Sequence, residues 1–390
     1  MNTNTLFNNT ETAFKLKTDS ELERAYFLFK MIANEPLVRI GTAATKLALN
    51  LHLPVEGLIR STVFDHFCGG VSEQDCMDTV DSLYEADVYS VLDYSVEGKE
   101  EENQFDATLA KVIELTKFAE NKKAMPFSVF KPTGLGRFKI WEKVSSSATL
   151  TEKEQNEWER IQQRYEQICE TAHNCGISLL IDGEESWMQD AADALCEQMM
   201  QKYNVHTPIV FNTLQCYRWD RLEYLKKAHQ RAKEGGYKLG FKVVRGAYME
   251  KERERAEDKG YRSPICESKL ATDECFNAVM RYILDHLDDI SLFLGTHNEA
   301  SSFLAMEIIE SKGIAKNDSR IWFGQLYGMS DHISYNLATA GFNVAKYIPF
   351  GPVKDVMPYL IRRAEENTSV AGQTSRELTL LKREKERRGI

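Results

Sequence analysis

The 390-residue chain is 43% hydrophobic and 28% charged, and its 59 acidic against 49 basic side chains leave a formal net charge of −10. Such a composition belongs to a soluble globular protein long enough for one large domain and an accessory piece, and the acidic balance excludes the concentrated cationic footprint that nucleic acids require. Eight cysteines without C-x-x-C spacing, no apolar run of spanning length, and a polar opening with Asn2, Thr3, Asn4 and Thr5 set the expectation of reduced thiols, no zinc ribbon and a cytoplasmic location, with any membrane contact peripheral.

The first segment reads as helical. Ser20 and Glu23 are spaced as a capping box ahead of Ala25, Phe27, Leu28, Phe29 and Ile32, and Pro36 stops that helix. Apolar positions at Val38, Ile40, Ala44, Leu47 and Leu51 continue the pattern, and Ser72 with Asp75 opens another helix after Gly69-Gly70. Residues 1–85 therefore form a helical arm without a catalytic-looking cluster. Past Ala86, short apolar runs alternate with longer amphipathic stretches, the texture of an α/β protein with a parallel sheet. Eight runs have buried-strand length: Val88 to Leu92, Pro126 to Phe130, Ser178 to Ile181, Ile209 to Leu214, Leu239 to Val244, Ser291 to Leu294, Arg320 to Phe323, and Phe342 to Tyr347. Polar or glycine residues follow their C-terminal ends, namely Asp93 and Glu97, Lys131, Asp182, Gln215, Arg245, Thr296 and His297, Gln325, and Tyr347 with Gly351. A (β/α)8 barrel over residues 86–372 suits this count, and the polar strand ends favour it over an open doubly wound sheet, because barrel enzymes collect reactive groups there. Residues 373–390 read as a charged tail, a frayed and solvated helix rather than a lipid-binding one.

Near the C-terminus, Gly351-Pro352 announces a helix in which Pro358 is a first-turn residue, so Arg362 and Arg363 fall in the second turn, near the positive end of the dipole. Tyr359 shares their face, and an aromatic ring with two guanidiniums can converge on one small anion; a solvated face with the arginines paired to Glu365 and Glu366 is an equal alternative. Metal spacings such as H-x-x-x-H and H-E-x-x-H are absent, as are a G-x-S-x-G elbow, a Rossmann fingerprint and a P-loop. Lys131 by itself reads as a point charge for a carboxylate, a Schiff-base nucleophile or a solvated loop residue.

Together these blocks resemble a family. Lys131 after a strand, Ile181-Asp182-Gly183-Glu184-Glu185, Leu214-Gln215-Cys216-Tyr217, Val244-Arg245-Gly246-Ala247-Tyr248, Thr296-His297-Asn298, Gly324-Gln325-Leu326-Tyr327-Gly328-Met329, Lys346-Tyr347-Ile348-Pro349 and Tyr359-Leu360-Ile361-Arg362-Arg363 occur in the order seen in monofunctional, flavin-dependent proline dehydrogenases, over roughly Tyr89 to Asn367. The resemblance implies a distorted TIM-like barrel with noncovalent FAD at the strand C-termini and the last helix over the mouth. It implies oxidation of L-proline to Δ1-pyrroline-5-carboxylate, with electrons passed to a quinone. By that resemblance Arg362, Arg363 and Lys131 hold the carboxylate, Tyr347, Tyr359, Tyr248 and Leu326 wall the ring, and Glu97 pairs with an active-site arginine. Gly183, Gln215, Arg245, Gly246, Ala247, Thr296, His297 and Glu366 lie against FAD. Lys242 stands where some relatives carry an arginine beside the reactive flavin nitrogen, Arg245 where they carry lysine, and Met249 where they carry tryptophan. Asp182 orients Lys131 or assists the chemistry. Hydroxyproline oxidation is the near competitor, opposed by Tyr347; an aldolase-like lyase with Lys131 as Schiff base and a catalytically silent scaffold are the distant ones.

Overall fold

The structure, a computed structural model, describes residues 6–34, 36, 38, 41–43, 56–95, 100–369 and 373–390. All eight apolar runs are strands: β1 Val88–Tyr94, β2 Phe127–Phe130, β3 Ser178–Ile181, β4 Val210–Gln215, β5 Leu239–Val244, β6 Ile290–Gly295, β7 Ile321–Leu326 and β8 Val344–Phe350. They follow one another in the sheet in the order β1-β8-β7-β6-β5-β4-β3-β2, with helices between them, which is a (β/α)8 TIM-like barrel. The strands read as continuous apolar runs because a parallel sheet covered by helices is buried on both faces. β1 and β7 continue two and three residues past their runs, through Asp93 and Gln325, since ladder hydrogen bonds do not depend on side-chain polarity, and β8 continues through the apolar Ile348-Pro349-Phe350.

Local signals explain the helices. Glu152–Cys175 starts at a Thr151–Glu154 capping box and ends at Gly176, whose φ of 66° is the left-handed cap a glycine adopts without penalty. Its buried Ile161, Tyr165, Ile168, Cys169 and Ala172 recur at three- and four-residue spacing, one apolar stripe facing the sheet.

By compactness the chain forms two units, Met1–Glu97 with Gln325–Ile390, and Gly98–Gly324. In the second, Phe127 meets Phe211, Phe293 and Trp322 edge-on with ring centroids 6.1, 5.1 and 5.1 Å apart, an aromatic cluster. In the first, the helix Gln373–Arg388 packs Leu380 and Leu381 into a cluster with Ala13, Phe14, Leu22, Ala25 and Phe29. Each buried leucine contributes roughly 1.5–3 kcal/mol.

Three expectations are corrected here. The arm's capping box is Thr18–Glu21, two residues before the Ser20–Glu23 pair, opening the helix Asp19–Ile32. Ser72 and Asp75 do bond reciprocally, Asp75 N to Ser72 Oγ at 3.2 Å and Ser72 N to Asp75 Oδ2 at 3.0 Å, but they close a turn, and the helix is Met77–Glu85. The tail is no frayed helix: Leu380 and Leu381 are buried, Arg387 and Arg388 both pair with buried Glu384, Arg388 also with Asp19 and Lys385 with Glu23, while Lys382, Arg383, Glu386 and Arg387 keep an exposed face. Of the pattern at Val38, Ile40, Ala44, Leu47 and Leu51, all but Val38 lies outside the described residues.

Candidate active site

In the unit Gly98–Gly324, β2 and β3 end side by side because Asp182 N donates to Phe130 O at 3.0 Å. The residues just past those ends are Lys131 and Asp182. Asp182 Oδ2 accepts from Lys131 Nζ at 3.1 Å, and Oδ1 accepts from Lys242 Nζ on β5. Burial opposes ionisation of Asp182, but the ammoniums of Lys242 and Lys131 outweigh it and hold the carboxyl down to about 2. An anion with so little proton affinity orients two cations; it is a poor base near neutral pH.

Glu184, which the sequence reading passed over, ties three loops together. Its carboxylate accepts from Thr133 N at 2.9 Å and Thr133 Oγ1 at 2.6 Å, in the turn after Lys131. Its amide donates to Gln189 Oε1 at 2.9 Å, and its carbonyl accepts from Gln215 Nε2 at 2.6 Å. Burial pushes this carboxyl up to about 7 despite the two Thr133 donors. The signal was present: a second carboxylate at the same strand end, in a segment quoted for Asp182 alone.

At the end of β5, Arg245 is held on every side. Its Nε donates to Asp273 Oδ1 at 2.8 Å, one terminal nitrogen to Thr296 Oγ1 at 2.9 Å and the other to Ser301 Oγ at 2.9 Å, and the guanidinium lies 4.3 Å over the Phe276 ring. Gly246 follows with φ 129°, a conformation side chains rarely adopt, and a Cβ there would sit 2.6 Å from the Tyr217 ring. The Tyr217 hydroxyl is buried and has no hydrogen-bond partner among the described residues. Ala247 is exposed, Tyr248 and His297 are half-buried, and Gly183 lies over the Gln215 amide, its built Cβ 3.0 Å from Nε2.

The unit that includes Gln325–Ile390 carries the remaining candidates. Tyr347 on β8 is buried, Leu326 closes β7 half-buried, and Tyr327 N donates to Tyr347 O at 2.8 Å. The helix Val353–Ser369 buries Tyr359 and stacks the Arg363 guanidinium 5.2 Å over its ring, the i,i+4 pairing helical spacing allows. Arg362 is half-buried beside it. One premise is corrected: the helix starts at Val353, where Pro352 O accepts from Asp355 N and Val356 N at 2.9 and 3.1 Å, so Pro358 is an interior residue and the arginines lie past mid-helix, away from the positive end. Glu97 lies outside the described residues, as does the side chain of Glu366.

Among the described residues, no group of three or more His, Cys, Asp or Glu side chains is arranged to hold a metal ion. A cavity of about 330 Å³ lined by Lys139, Glu142, Lys143, Trp187 and Arg255 includes none of the strand-end residues above.

A family model described as proline dehydrogenase matches residues 76–376. The carbapenem antibiotics biosynthesis protein CarD of Pectobacterium carotovorum subsp. carotovorum is 36% identical over 333 residues, 85% of this chain and 86% of that protein. Mitochondrial proline dehydrogenase 1 of Arabidopsis thaliana is 32% identical over 418 residues, 95% of this chain and 84% of that protein. Among solved structures, proline utilization A from Bdellovibrio bacteriovorus, inactivated by N-propargylglycine, superposes with a TM-score of 0.69 at 19% identity, covering 94% of this chain but only 36% of its own, a likeness of fold.

Proposed function

The chain belongs to the proline dehydrogenase family, and from that premise we propose that it oxidises L-proline to Δ1-pyrroline-5-carboxylate with noncovalent FAD as hydride acceptor and a quinone as the onward electron acceptor. The observation that carries the reading is the constellation of Lys131 and Asp182, just past the ends of neighbouring strands, with Lys242 from within β5, in a chain whose family match spans the whole barrel.

The residues present suit FAD. The orphaned Tyr217 hydroxyl beside Gly246, the close backbone approach at that glycine, and the buried polar side chains of Gln215, Thr296 and Lys242 form a polar surface of the kind such a group takes up. Gln215, Arg245, Gly246, Ala247, Thr296, His297 and Gly183 would hold it, with Glu366 by resemblance. When bound, FAD supplies the hydride acceptor, and the ring carbon next to the proline nitrogen is the donor.

The chain's own residues supply charge and orientation. By the family resemblance, Lys131 would meet the substrate carboxylate as a point charge and Arg362 and Arg363 as planar forks. Asp182 holds Lys131 and Lys242 in place. Cations around the carboxylate favour loss of the proton from the substrate amine, and only the neutral amine can push the hydride out. Tyr347, Tyr359, Tyr248 and Leu326 wall the ring and exclude water, and a hydroxyl on that ring would crowd Tyr347, which favours proline over hydroxyproline. The ion pair to Asp182 favours an ammonium at Lys131, which speaks against a Schiff-base lyase. The quinone and a peripheral membrane contact rest on family analogy; no helix among the described residues is long and apolar enough to cross a membrane. Eight free cysteines suit the cytoplasmic placement.

Anaerobic addition of L-proline to the purified, FAD-loaded protein tests the reading. Bleaching of the oxidised flavin spectrum is the expected result; a spectrum that stays oxidised with proline but bleaches with hydroxyproline would reverse the substrate assignment.

A further inference from the structure

Lys346 is a fully buried lysine inside an apolar strand, and the reaction has no evident use for it. Successive strand residues point to opposite faces, so it lies behind the sheet from its neighbour Tyr347. Its three hydrogens are all directed at the turn that follows β7: Nζ donates to Met329 O at 2.5 Å, to Asp331 Oδ1 at 2.8 Å and to Leu326 O at 3.4 Å. Lys17 of the N-terminal arm meets the other oxygen of Asp331 at 3.4 Å.

The same turn is gripped from three further directions. His66 Nε2 lies 2.9 Å from Gly328 O and, facing a carbonyl, carries the proton and donates. Glu377 of the C-terminal helix accepts from Ser330 N at 2.6 Å. On the β8 side, Tyr327 N donates to Tyr347 O at 2.8 Å. Such bracing is required because the turn is strained: Ser330 holds φ 53° without being glycine, and at Gly328, φ 76°, an added Cβ would sit 2.2 Å from His66 O. Backbone in sparsely populated conformations persists only when its surroundings over-determine it.

We propose that Lys346 is a positioning residue for the substrate pocket, holding the Leu326–Asp331 turn against β8 so that Leu326 and Tyr347 stand as fixed walls around the ring. The arm and the C-terminal helix, through His66, Lys17 and Glu377, belong to the same brace. The inference rests on the reading of Leu326 and Tyr347 as pocket walls; the walls lose their spacing when the clamp is removed, while the flavin contacts stay.

The test is steady-state kinetics of the FAD-loaded full chain with L-proline and with hydroxyproline. Lys346→Met alone leaves Asp331 with the Lys17 ammonium only, so it is paired with Lys346→Met/Asp331→Asn, which removes both buried charges, leaves Lys17 to turn to solvent from a side chain already 23% accessible, and leaves the carbonyls of Leu326 and Met329 unclamped. The expected result for the double variant is wild-type flavin content, a lowered thermal midpoint because two buried carbonyls lose their donor, KM for proline raised about tenfold, kcat within about threefold, and a proline-to-hydroxyproline preference reduced severalfold. A double variant with the wild-type KM and preference overturns the proposal and leaves Lys346 purely structural. His66→Ala, which loosens the same turn from the arm, gives a second reading if the Lys346 variants do not fold: it should show a smaller rise in KM with the same loss of preference, and unchanged values overturn the proposal equally. Failure of the wild-type protein to bleach with proline would instead overturn the proposed function, a separate outcome read before any variant.

Discussion

Two lysine–aspartate–lysine constellations found among the described residues solve the same electrostatic problem for different ends. Lys131 and Asp182, just past two strand ends, and Lys242, within β5, make one in one compact unit, and Lys346–Asp331–Lys17 lies under the β7 turn of the other. In both, burial alone would protonate the aspartate and two ammoniums overrule it, Asp182 falling to about 2 and Asp331 well below the usual carboxylate range. The contrast is in the outer lysine hydrogens. Lys346 is wholly buried and spends its remaining donors on carbonyls of its own chain, whereas the Lys131 side chain keeps 20% of its surface accessible. A charged triad is therefore not a catalytic signature by itself; what its cations face decides whether it serves a ligand or the backbone.

Removing each aspartate should separate the two roles most sharply. Asp331→Ala leaves a fully buried ammonium uncompensated, and breaking such a pair typically costs about 3–5 kcal/mol, so the urea midpoint should fall far before kinetics become the limiting observation. Asp182→Ala also strands the buried Lys242 ammonium and so costs stability, but less than Asp331→Ala, because Lys131 keeps 20% of its side chain accessible and can turn to water; its kcat/KM for proline should drop about 100-fold, the worth of charge-assisted hydrogen bonds at a reacting site. Equal stability losses with equal kinetics would erase the distinction. Next in size is Arg363→Ala. Loss of a charged hydrogen bond to the carboxylate is worth roughly 1.5–3 kcal/mol, so KM should rise about 10- to 100-fold with the flavin retained; flavin loss at unchanged KM would move Arg363 from substrate to cofactor.

The first triad was half legible in the sequence and the second was not. Strands of a covered parallel sheet announce themselves as apolar runs, and the residue after each run is then fixed, which is how Lys131, Asp182, Gln215 and Arg245 could be named. Lys346 sits inside such a run, where a lone charge reads as an exception, although a lysine interrupting a buried strand was the available signal. The turn it clamps is held as well by Lys17, His66 and Glu377 from distant segments, and no local pattern records that convergence. The helix at Val353 was placed late because Pro358 looks the same locally whether it opens a helix or interrupts one. The tail was taken for solvated because two leucines among many charges give a weak periodic signal, yet Leu380 and Leu381 are both buried. Arg245 shows the opposite limit: its identity was legible, but its commitment to Asp273, Thr296 and Ser301 depends on the folded geometry.

A smaller effect is expected at the cofactor side of the first unit. Gly246→Ala places a Cβ against Tyr217 at a φ of 129°, a strain of about 1–3 kcal/mol. Retained FAD after dialysis should fall, with the dissociation constant weakened about tenfold or more, while the stability of the flavin-free chain changes less. An alanine variant that keeps its flavin through dialysis would show that this turn bends freely and that close backbone approach is not what the cofactor needs.

The smallest effect is a pH dependence carried by Glu184, and its sign follows from proton binding. In the unfolded chain a glutamate holds its proton only below about 4.5, and in the fold burial keeps it on up to about 7. Between those limits the folded state binds more protons than the unfolded state, so its stability declines as pH rises through the window. The contribution is complete below the lower limit, lost on approaching the upper one, and constant beyond it. Glu184→Gln replaces the protonated carboxyl with a neutral amide of nearly the same shape, so the variant should lack this part of the slope. Urea unfolding at pH 5, 6 and 7 should show the wild-type-minus-variant difference becoming steadily less favourable to the wild type. Because Glu184 links the turn after Lys131 to Gln215, kcat/KM at pH 6 should stay within about threefold of wild type in the amide variant, which keeps the backbone carbonyl that Gln215 uses. A difference in unfolding free energy that is flat across that range would mean Glu184 is already ionised in the fold, and the Lys131 side of the site would then carry one more negative charge than the geometry implies.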